Sequence, residues 1–464
     1  MNIFRSAILC FFLIAGCSNQ HKKVLYENTD KHQYILTEDE INLLDSVQYK
    51  SFLYFINEIN PENGLVKDRT TKESASSIAA VGWGVAVWAI GAENNWITRE
   101  KAAELTLNLV RFLFNSEQSA EADATGYQGF YYHFLNMETG KREWNCELST
   151  IDTAWLLAGI RFAVQYYNQN NDVEKEIREL GDKITNRVNW DWTIINKSSY
   201  AGHEGLVAMS YRPGKGLKDY GWFGYTEALY LYILAAGTNL SEPMKAYDQW
   251  LSGFDWKEPY EGLAHVTFPP LFGHQFSHMF IDFRGLADKY LREKGIDYFE
   301  NSRRATLSNR MYCIQNPKGW VGYDSLTWGI SACDGPGQSY NKDGKKFMGY
   351  AGRGASGPGD NLHEDGTITP EAAGGSIPFA PEVCIPALKN MYDKYGDKGL
   401  WGKYGFKDAF NLTAGWYDTD YLGLDEGPIV IMIENFRTGL IWRYAMKDPV
   451  IKKGLERLGF TKVE

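Results

Sequence analysis

The chain has 464 residues and a formal net charge of −10 at pH 7. This negative charge argues against a nucleic-acid partner, because proteins that bind nucleic acids present a basic face. Aromatic residues make up 15% of the sequence, with 15 Trp, and many stand beside glycine and polar residues where loops are expected. Such rings can stack on the apolar faces of sugars, but large helical cores use aromatic residues as well. Composition alone leaves both interpretations open.

The N-terminus has the pattern of a lipoprotein signal. One basic residue, Arg5, precedes an apolar run that is too short to span a membrane. The run ends on Leu-Ile-Ala-Gly before Cys17, which resembles the lipobox where bacterial lipoproteins are cleaved and acylated. A plain signal peptide or a buried helix is the alternative, although the sequence turns polar directly after Cys17. We expect a signal peptide over 1–16, a lipidated Cys17 and a tether over 17–36.

A lipid on Cys17 anchors a protein without crossing the membrane, so the rest of the chain can fold in water. We therefore expect the protein in the cell envelope, held on a bacterial membrane and facing the periplasm or the cell surface. The lipid would be its only contact with the membrane. We expect a monomer.

The remaining cysteines give no zinc pattern, because they are widely spaced and form no C-x-x-C pair. A disulfide is allowed in an oxidising compartment but cannot be assigned from the sequence. No cofactor and no metal are expected. These cysteines are Cys146, Cys313, Cys333 and Cys384.

Apolar residues recur at helical spacing along most of the chain, with little of the alternation that strands require. Thr37 and the acidic residues after it predict the N-cap and first turn of the first helix. The pattern predicts an all-α fold in a single domain over 37–464. The twelve predicted helices are 37–57, 74–93, 98–115, 150–168, 172–188, 226–237, 242–254, 273–291, 297–315, 379–394, 428–445 and 447–458.

Twelve helices joined by alternately short and long connections suit an (α/α)6 toroid, a double ring of six inner and six outer helices. No repeat is visible in the sequence, so this expectation rests on the helix count. A helical solenoid or a bundle with insertions is the alternative. In a toroid the N-termini of the inner helices surround one mouth, where long loops can form a pocket. Carboxylates at helix starts are therefore candidates for chemistry, although the helix dipole also favours acids there.

Two acidic residues stand at predicted helix starts in the first half of the chain. Asp152 follows Ser149 by three residues, which is a capping pattern that explains it without catalysis. Trp144 and Glu147 lie just upstream and favour a site. Glu227 is expected in the first turn after Thr226, within a stretch that contains more glycine and aromatic residues than a cap requires.

Further acids lie in the long loops of the second half. Asp425 and Glu426 precede Pro428, which suits the first position of the following helix. Asp418 and Asp420 have the spacing of calcium loops, but the glycine and terminal glutamate of an EF-hand are missing. The segment 317–378 is too long for a mere connection, which indicates binding or disorder. It holds the candidate sugar contacts Asp334, Asp365 and Glu371.

The segment 271–284 contains two histidines at helical spacing, His274 and His278. They could bind a metal, but no third ligand is specified. Contacts of His274 and Gln275 with sugar hydroxyls are the preferred interpretation. Asp282 and Arg284 predict a structural ion pair.

Glycosidic bond cleavage generally requires one carboxylic acid as proton donor and one carboxylate as base or nucleophile. The chain offers acids at helix starts among aromatic residues. It has no nucleophile elbow and no signature of a serine or cysteine nucleophile, which would indicate acyl transfer.

Five strings stand out within residues 221–443. They are GWFGYTEALYLYILA from Gly221, LFGHQFSHMFIDFRG from Leu271, EDGTITPEAAGGSIPFAPE from Glu364, LWGKYGFKDAFNLT from Leu400 and DYLGLDEGPIVIMIENFRTGLIW from Asp420. In this order they resemble the bacterial glucoamylase-like (glycoamylase) family. The resemblance implies an (α/α)6 toroid and an inverting hydrolase similar to endo-β-1,2-glucanases and to a domain of cyclic β-1,2-glucan synthases.

The resemblance favours a hydrolase of β-linked glucan, with β-1,2-glucan as the expected substrate. Glu227 is the expected general acid, and Asp425 or Asp152 the base. The alternatives are a phosphorylase, a glucoamylase-type hydrolase of another glucan, and a non-catalytic glycan-binding lipoprotein. A phosphorylase would need a cationic pocket, for which Arg212 and Arg353 are the main candidates. Expected sugar contacts are Glu147, Arg212, His274, Gln275, Asp334, Asp365 and Glu371, with Trp144, Trp222 and Trp416 as stacking platforms.

Overall fold

The computed structural model describes residues 34–342, 344–355 and 363–463. The signal peptide, Cys17 and most of the tether lie outside these ranges. Within them the chain is rich in helix, and no helix has the length and apolarity needed to cross a bilayer. The α-helices are α1 Glu38–Asn57, α2 Ile78–Glu93, α3 Arg99–Asn115, α4 Thr150–Tyr166, α5 Asp172–Asn186, α6 Leu229–Gly237, α7 Pro243–Leu251, α8 Phe276–Phe280, α9 Lys289–Lys294, α10 Tyr298–Gln315, α11 Pro370–Gly374, α12 Pro381–Tyr395, α13 Gly423–Arg437, α14 Leu440–Ala445 and α15 Pro449–Arg457.

The helices divide into a buried set and a covering set. Nearly every residue of α2, α4, α6 and α13 is buried, as expected for helices that are apolar all round. α1 packs on α2 and α13, α3 and α5 pack on α2 and α4, and α7 packs on α6. The amphipathic covering helices therefore shield a central layer from water.

The buried helices α2 and α4 touch through their backbones. A Cβ atom built on Gly159 would lie 1.8 Å from the carbonyl oxygen of Gly82. A Cβ atom on Gly82 would lie 2.2 Å from the carbonyl oxygen of Trp155. No real Cβ tolerates such distances, so these two glycines allow the close crossing.

Short strands occupy the connections between helices. β4, β5, β7, β8 and β9 form one antiparallel sheet in that order, and the other strands form pairs. The sequence predicted loops here, because strands of two or three residues are too short for alternation to be recognised. The strands are β1 Ile59–Asn60, β2 Leu65–Val66, β3 Ser76–Ser77, β4 Gly126–Tyr127, β5 Phe130–Tyr132, β6 Phe134–Leu135, β7 Leu148–Ser149, β8 Ser210–Arg212, β9 Gly216–Leu217, β10 Trp256–Lys257, β11 His265–Val266, β12 Leu286–Ala287, β13 Ala332–Cys333, β14 Asn341–Lys342, β15 Lys345–Lys346, β16 Ala351–Gly352, β17 Trp401–Gly402, β18 Gly405–Phe406, β19 Phe410–Asn411, β20 Trp416–Tyr417 and β21 Thr461–Lys462.

Several helix predictions are confirmed by the local contacts. Thr37 caps α1 and forms a capping box with Glu40, and Ser149 accepts the N–H of Asp152 at the start of α4. The predicted ion pair of Asp282 with Arg284 is also present, at 2.7 Å.

The predicted helix over 273–291 is wrong. The chain forms a 3₁₀ turn at Leu271–His274, the short helix α8, the strand β12 and then α9. The backbone is already extended at Ile281. Every residue of α8 is buried, and a segment that is buried on all sides carries no reliable periodicity.

The start of one helix and the presence of another also differ from the prediction. α13 begins at Gly423, so Pro428 lies inside the helix and not at its first position. The first turn is already formed there, because the N–H groups of Asp425 and Glu426 both donate to the carbonyl oxygen of Leu422 at 3.0 Å. The short helix α11 was missed in the long loop.

The four described cysteines are free thiols, and each is buried. Burial raises the pKa of Cys313 and Cys384. The disulfide that the sequence left open is not formed between them.

Candidate active site

A cavity of about 200 Å³ lies where several helices begin, and four carboxylates line it. Asp152 belongs to the first turn of α4, Glu371 to that of α11 and Asp425 to that of α13. Glu227 lies in the turn just before α6. The three acids that the sequence proposed as catalytic are therefore brought together, and Glu371 joins them.

Aromatic side chains form much of the remaining wall of this cavity. Trp83 lies on α2, Trp155 on α4 and Phe276 on α8, and Phe272 lies in the preceding turn. Phe276 packs edge-on against both Trp83 and Trp155. Such a wall excludes water and disfavours charge on the acids that it surrounds.

Glu227 is held through its backbone, while one oxygen of its carboxyl group lacks a partner among the described residues. The Ser277 hydroxyl donates to the carbonyl oxygen of Glu227 at 3.0 Å and accepts the N–H of Tyr230 at 3.1 Å. Thr226 accepts the N–H of Ala228 at 3.1 Å, and the helix begins only at Leu229, later than predicted. Among the described residues, the buried Glu227 Oε2 has no hydrogen-bond partner.

Burial is the main cause of the raised pKa of Glu227, and the charge of Asp152 adds to it, so that the pKa is about 7. A carboxyl group with this pKa holds its proton over much of the neutral range. It therefore has the property required of a general acid.

Asp152 ends a row of charged groups that the five-stranded sheet assembles. The ring of His133 lies 2.9 Å from Glu147 through Nδ1 and 3.6 Å from Asp152 through Nε2. Arg212 donates to the other oxygen of Glu147 at 2.8 Å. The strands β5, β7 and β8 bring these residues side by side, and Ser149 is hydrogen-bonded to the Asp152 carboxylate.

The acids around His133 keep its imidazole ring protonated at neutral pH. Burial lowers the pKa of His133, but Asp152, Glu147 and Asp68 outweigh this effect and raise it to about 9. The hydrogen bond from His133 is in turn the main cause that lowers the pKa of Glu147 to about 2. Asp152 therefore faces a cation at neutral pH.

On the other side of the cavity, Glu371, Asp425 and Glu426 lie close together, and no described basic side chain forms an ion pair with them. Burial and then Asp408 raise the pKa of Asp425 well above its usual value, and Glu371 and Glu426 add to the rise. Burial and Asp408 raise the pKa of Glu371 to about 8. Within the described residues, Glu371 Oε1 and Asp425 Oδ2 have no hydrogen-bond partner.

Four residues expected to contact sugar are buried outside this cavity. Trp222 is 6% exposed, and its indole N–H donates to Thr150 at 3.0 Å. His274 is fully buried with its pKa lowered well below the usual value by burial, and Gln275 donates to the backbone of α11 at 2.9 Å. Asp365 is buried against Arg353 at 2.8 Å. None of the four lines the cavity.

Three other expected contacts also lie outside the cavity wall. Trp144 is 57% exposed and packs on Phe134. Trp416 lies on β20, paired with Asn411 of β19. Asp334 forms an ion pair with Arg69 at 2.7 Å. Glu147 and Arg212 reach the cavity only through His133.

The sequence did not indicate His133, Asp408 or the wall residue Trp83. No motif marks His133, whose position beside Glu147 depends on strand pairing. Asp408 stands within one of the family-like strings but was not singled out. The apolar run of α2 hid Trp83 among core residues.

Proteins similar to this chain are known from sequence and from solved structures. The model of the Glycoamylase family, described as "Putative glucoamylase", matches residues 219–449. A crystal structure of the same description from Bacteroides uniformis is 33% identical, with a TM-score of 0.77, and the match covers 93% of this chain and 99% of that one. This chain therefore belongs to the glucoamylase-like family.

The names of two further relatives state the glucan linkage on which those proteins act. An endo-β-1,2-glucanase from Chitinophaga pinensis, solved with sophorotriose and glucose, is 28% identical with a TM-score of 0.76, over 92% of this chain and 99% of that one. An exo-β-1,2-glucooligosaccharide sophorohydrolase from Parabacteroides distasonis is 29% identical over 92% of this chain. The chain spans 59% of the length of that sophorohydrolase.

Proposed function

We propose that the protein is a glycoside hydrolase that cleaves β-1,2-linked glucan. The observation that carries this proposal is the arrangement of four carboxylates around one cavity with aromatic walls, with Glu227 kept neutral by burial. The names of the Chitinophaga and Parabacteroides relatives support β-1,2-glucan as the substrate.

In the proposed reaction Glu227 gives its proton to the glycosidic oxygen as the bond from that oxygen to the anomeric carbon breaks. A water molecule attacks the anomeric carbon from the opposite face, and Asp425 takes the proton from this water. The result is inversion at the anomeric carbon.

Asp152 and Glu371 complete the proposed site. Asp152 accepts a hydrogen bond within the protein and faces His133, so it suits a fixed acceptor for sugar hydroxyls. Glu371 is buried and neutral at pH 7 given its pKa of about 8, and can donate a hydrogen bond to substrate.

Water suits this cavity better than phosphate as the attacking group. A phosphorylase needs basic side chains around the base, and no Lys or Arg lines the described cavity. Arg212 pairs with Glu147 and Arg353 with Asp365, so both predicted cationic candidates are already engaged.

We also propose that the helices close into the (α/α)6 toroid, in one domain from residue 37. The inner ring would consist of α2, α4, α6, α8, α11 and α13, whose N-terminal ends carry or adjoin the cavity residues. The packing of α2 on α4 and α13, of α4 on α6, and of α13 on α8 and α11 supports this arrangement.

Product analysis tests the function directly. We expect the purified protein to release short β-1,2-linked oligosaccharides from β-1,2-glucan, and no comparable product from β-1,3-glucan, β-1,4-glucan or starch. Added phosphate should give no sugar phosphate. Glucose released from starch alone would overturn the substrate, and sugar phosphate would convert the proposal into a phosphorylase.

We propose that Cys17 carries a lipid that holds the protein in the cell envelope. Cys17→Ser is expected to move the protein from the membrane fraction to the soluble fraction of the expressing cells, with catalytic activity per molecule unchanged. Fractionation with membranes at the wild-type level would contradict this proposal.

A further inference from the structure

Three aspartates from distant parts of the chain meet beside the cavity. Asp334, Asp408 and Asp418 each place a carboxylate oxygen so that the three oxygens lie within 4.8 Å of one another. We call this group the three-aspartate site. The hairpin of β19 and β20 brings two of them together, since the N–H of Asp418 donates to the carbonyl oxygen of Ala409 at 2.9 Å. The N–H of Asp334 donates to Asp408 Oδ2 at 2.7 Å.

Each of these aspartates uses one carboxylate oxygen to hold the local structure. Asp418 Oδ1 accepts the N–H groups of Thr419 and Asp420, at 2.6 and 3.0 Å. Asp334 Oδ2 accepts from Arg69 at 2.7 Å. The carboxyl groups are thus fixed in orientation before any ligand binds.

The second carboxylate oxygens of Asp408 and Asp418 lack a hydrogen-bond partner among the described residues. Asp418 is 6% exposed and Asp408 2% exposed, and among the described residues Asp418 Oδ2 and Asp408 Oδ1 receive no hydrogen bond from an N–H or hydroxyl group. The side chain of Asp425 does contact Asp408, but it is another carboxyl group. A buried oxygen that faces only other acids needs a proton or a cation.

The described basic residues near the three-aspartate site do not balance its negative charge. Arg69 is the only described basic side chain that forms an ion pair with any of the three aspartates, and it also pairs with Asp68 at 3.1 Å. The neighbouring Asp420 adds a further negative charge, although the hydroxyls of Thr70 and Thr71 bind its two oxygens.

We propose that the three-aspartate site binds a hard divalent cation, Ca²⁺ or Mg²⁺. The donors are all carboxylate oxygens, which these ions prefer. Two oxygens on opposite sides of one Ca²⁺ lie about 4.8 Å apart, given Ca–O distances of about 2.4 Å, and three oxygens within 4.8 Å of one another can therefore contact one such ion. Water would complete the coordination from the side of Asp334, the least buried of the three.

This site differs from the patterns considered in the sequence. The histidine pair is buried apart from it, and Asp418 joins Asp334 and Asp408 in place of Asp420. The proposal replaces the expectation of a metal-free protein. It does not depend on the proposed glucan hydrolysis, because it concerns binding of a cation by the free protein.

The experiment measures cation binding without substrate. Protein stripped with a chelator is titrated with CaCl₂ and with MgCl₂ by calorimetry, and its unfolding temperature is followed in parallel. We expect saturable binding of at least one of the two ions and a rise in unfolding temperature of about 2 °C or more. The ion that binds more tightly identifies the occupant.

The variant Asp418→Asn should weaken binding about tenfold or more, because affinity in such sites follows the number of charged ligands. Its retained Oδ1 can still accept the N–H groups of the turn, so the fold should be kept. The matched control is Asp420→Asn, whose side chain is bound by threonines outside the site; it should weaken binding far less.

Two results would overturn the proposal. One is the lack of any saturable calcium or magnesium binding by the stripped wild-type protein, which needs no variant to interpret. The other is equal cation binding by wild-type protein and folded Asp418→Asn, which would place the ion elsewhere. If Asp418→Asn does not fold, Asp408→Asn is measured in its place with the same expected loss.

Discussion

Glu227→Gln is expected to lower turnover by about two to four orders of magnitude, with substrate binding largely kept. Glutamine has the shape of the glutamic acid but no proton that it can transfer to a leaving oxygen. The effect should appear in kcat and far less in KM. The exposed Glu204→Gln removes the same group elsewhere and should leave kcat unchanged.

The pH dependence gives a second measure of the same residue. Wild-type turnover should fall as the pH rises through about 7, because Glu227 then loses the proton that it must donate. The small residual activity of Glu227→Gln should not fall over this pH range. A variant with more than about a tenth of wild-type turnover would make Glu371 the better candidate for the acid.

Glu227→Gln should also stabilise the folded protein at alkaline pH. The pKa of Glu227 is about 7 in the folded chain, against 4.5 for an unperturbed glutamate, so folding favours its protonated form. The buried carboxyl group of Glu227 costs folding free energy only in the pH range where it would ionise in the unfolded chain. This cost is absent below about pH 4.5 and is complete once the pH has risen through 7. At about pH 8 the variant should therefore be more stable than wild type, on the order of 2–3 kcal/mol, and at about pH 4 nearly equal. Urea unfolding at the two pH values measures this.

Asp425→Asn is the second large expected effect. Removal of the base should lower turnover by about two to four orders of magnitude, because the attacking water then keeps its proton. Proton NMR of the first product formed by wild-type enzyme should show the α-anomer, as inversion of a β-linkage requires. A first product with the β-anomer would contradict the role of Asp425 as base to a water molecule.

The control for Asp425 is its neighbour on the same helical turn. Glu426 is also buried, its pKa is raised well above the usual value by burial, and it does not line the cavity. Glu426→Gln should keep most of the activity. If both variants lose activity equally, the loss reflects damage to the start of α13 and not removal of the base.

Local chemistry explains what the sequence could predict. Thr37 and Ser149 mark helix starts because their hydroxyls accept free N–H groups of the first turn, and Asp152, three residues after Ser149, does line the cavity. Glu227 and Asp425 also line it, and the sequence places both near predicted helix starts. The family-like strings contain Glu227 and Asp425 but not Asp152.

Contacts between distant segments explain what the sequence could not predict. His133 acquires its partners because β5 pairs with β7 and β7 with β8, and none of these strands exceeds three residues. Asp334 and Asp408 are 74 residues apart, joined by one hydrogen bond. Trp222 is buried in the core and Trp416 lies on a hairpin outside the cavity wall, because a tryptophan beside glycine can equally serve the packing of the fold.

The crossing of α2 and α4 at Gly82 and Gly159 bears on the shape of the cavity. Trp83 and Trp155, which form part of its wall, are adjacent to or one turn from this crossing. Any side chain at either glycine would act as a wedge that moves one helix, and the tryptophan it carries, away from the other. The width of the cavity therefore depends on Gly82 and Gly159, two positions behind its wall that no substrate touches.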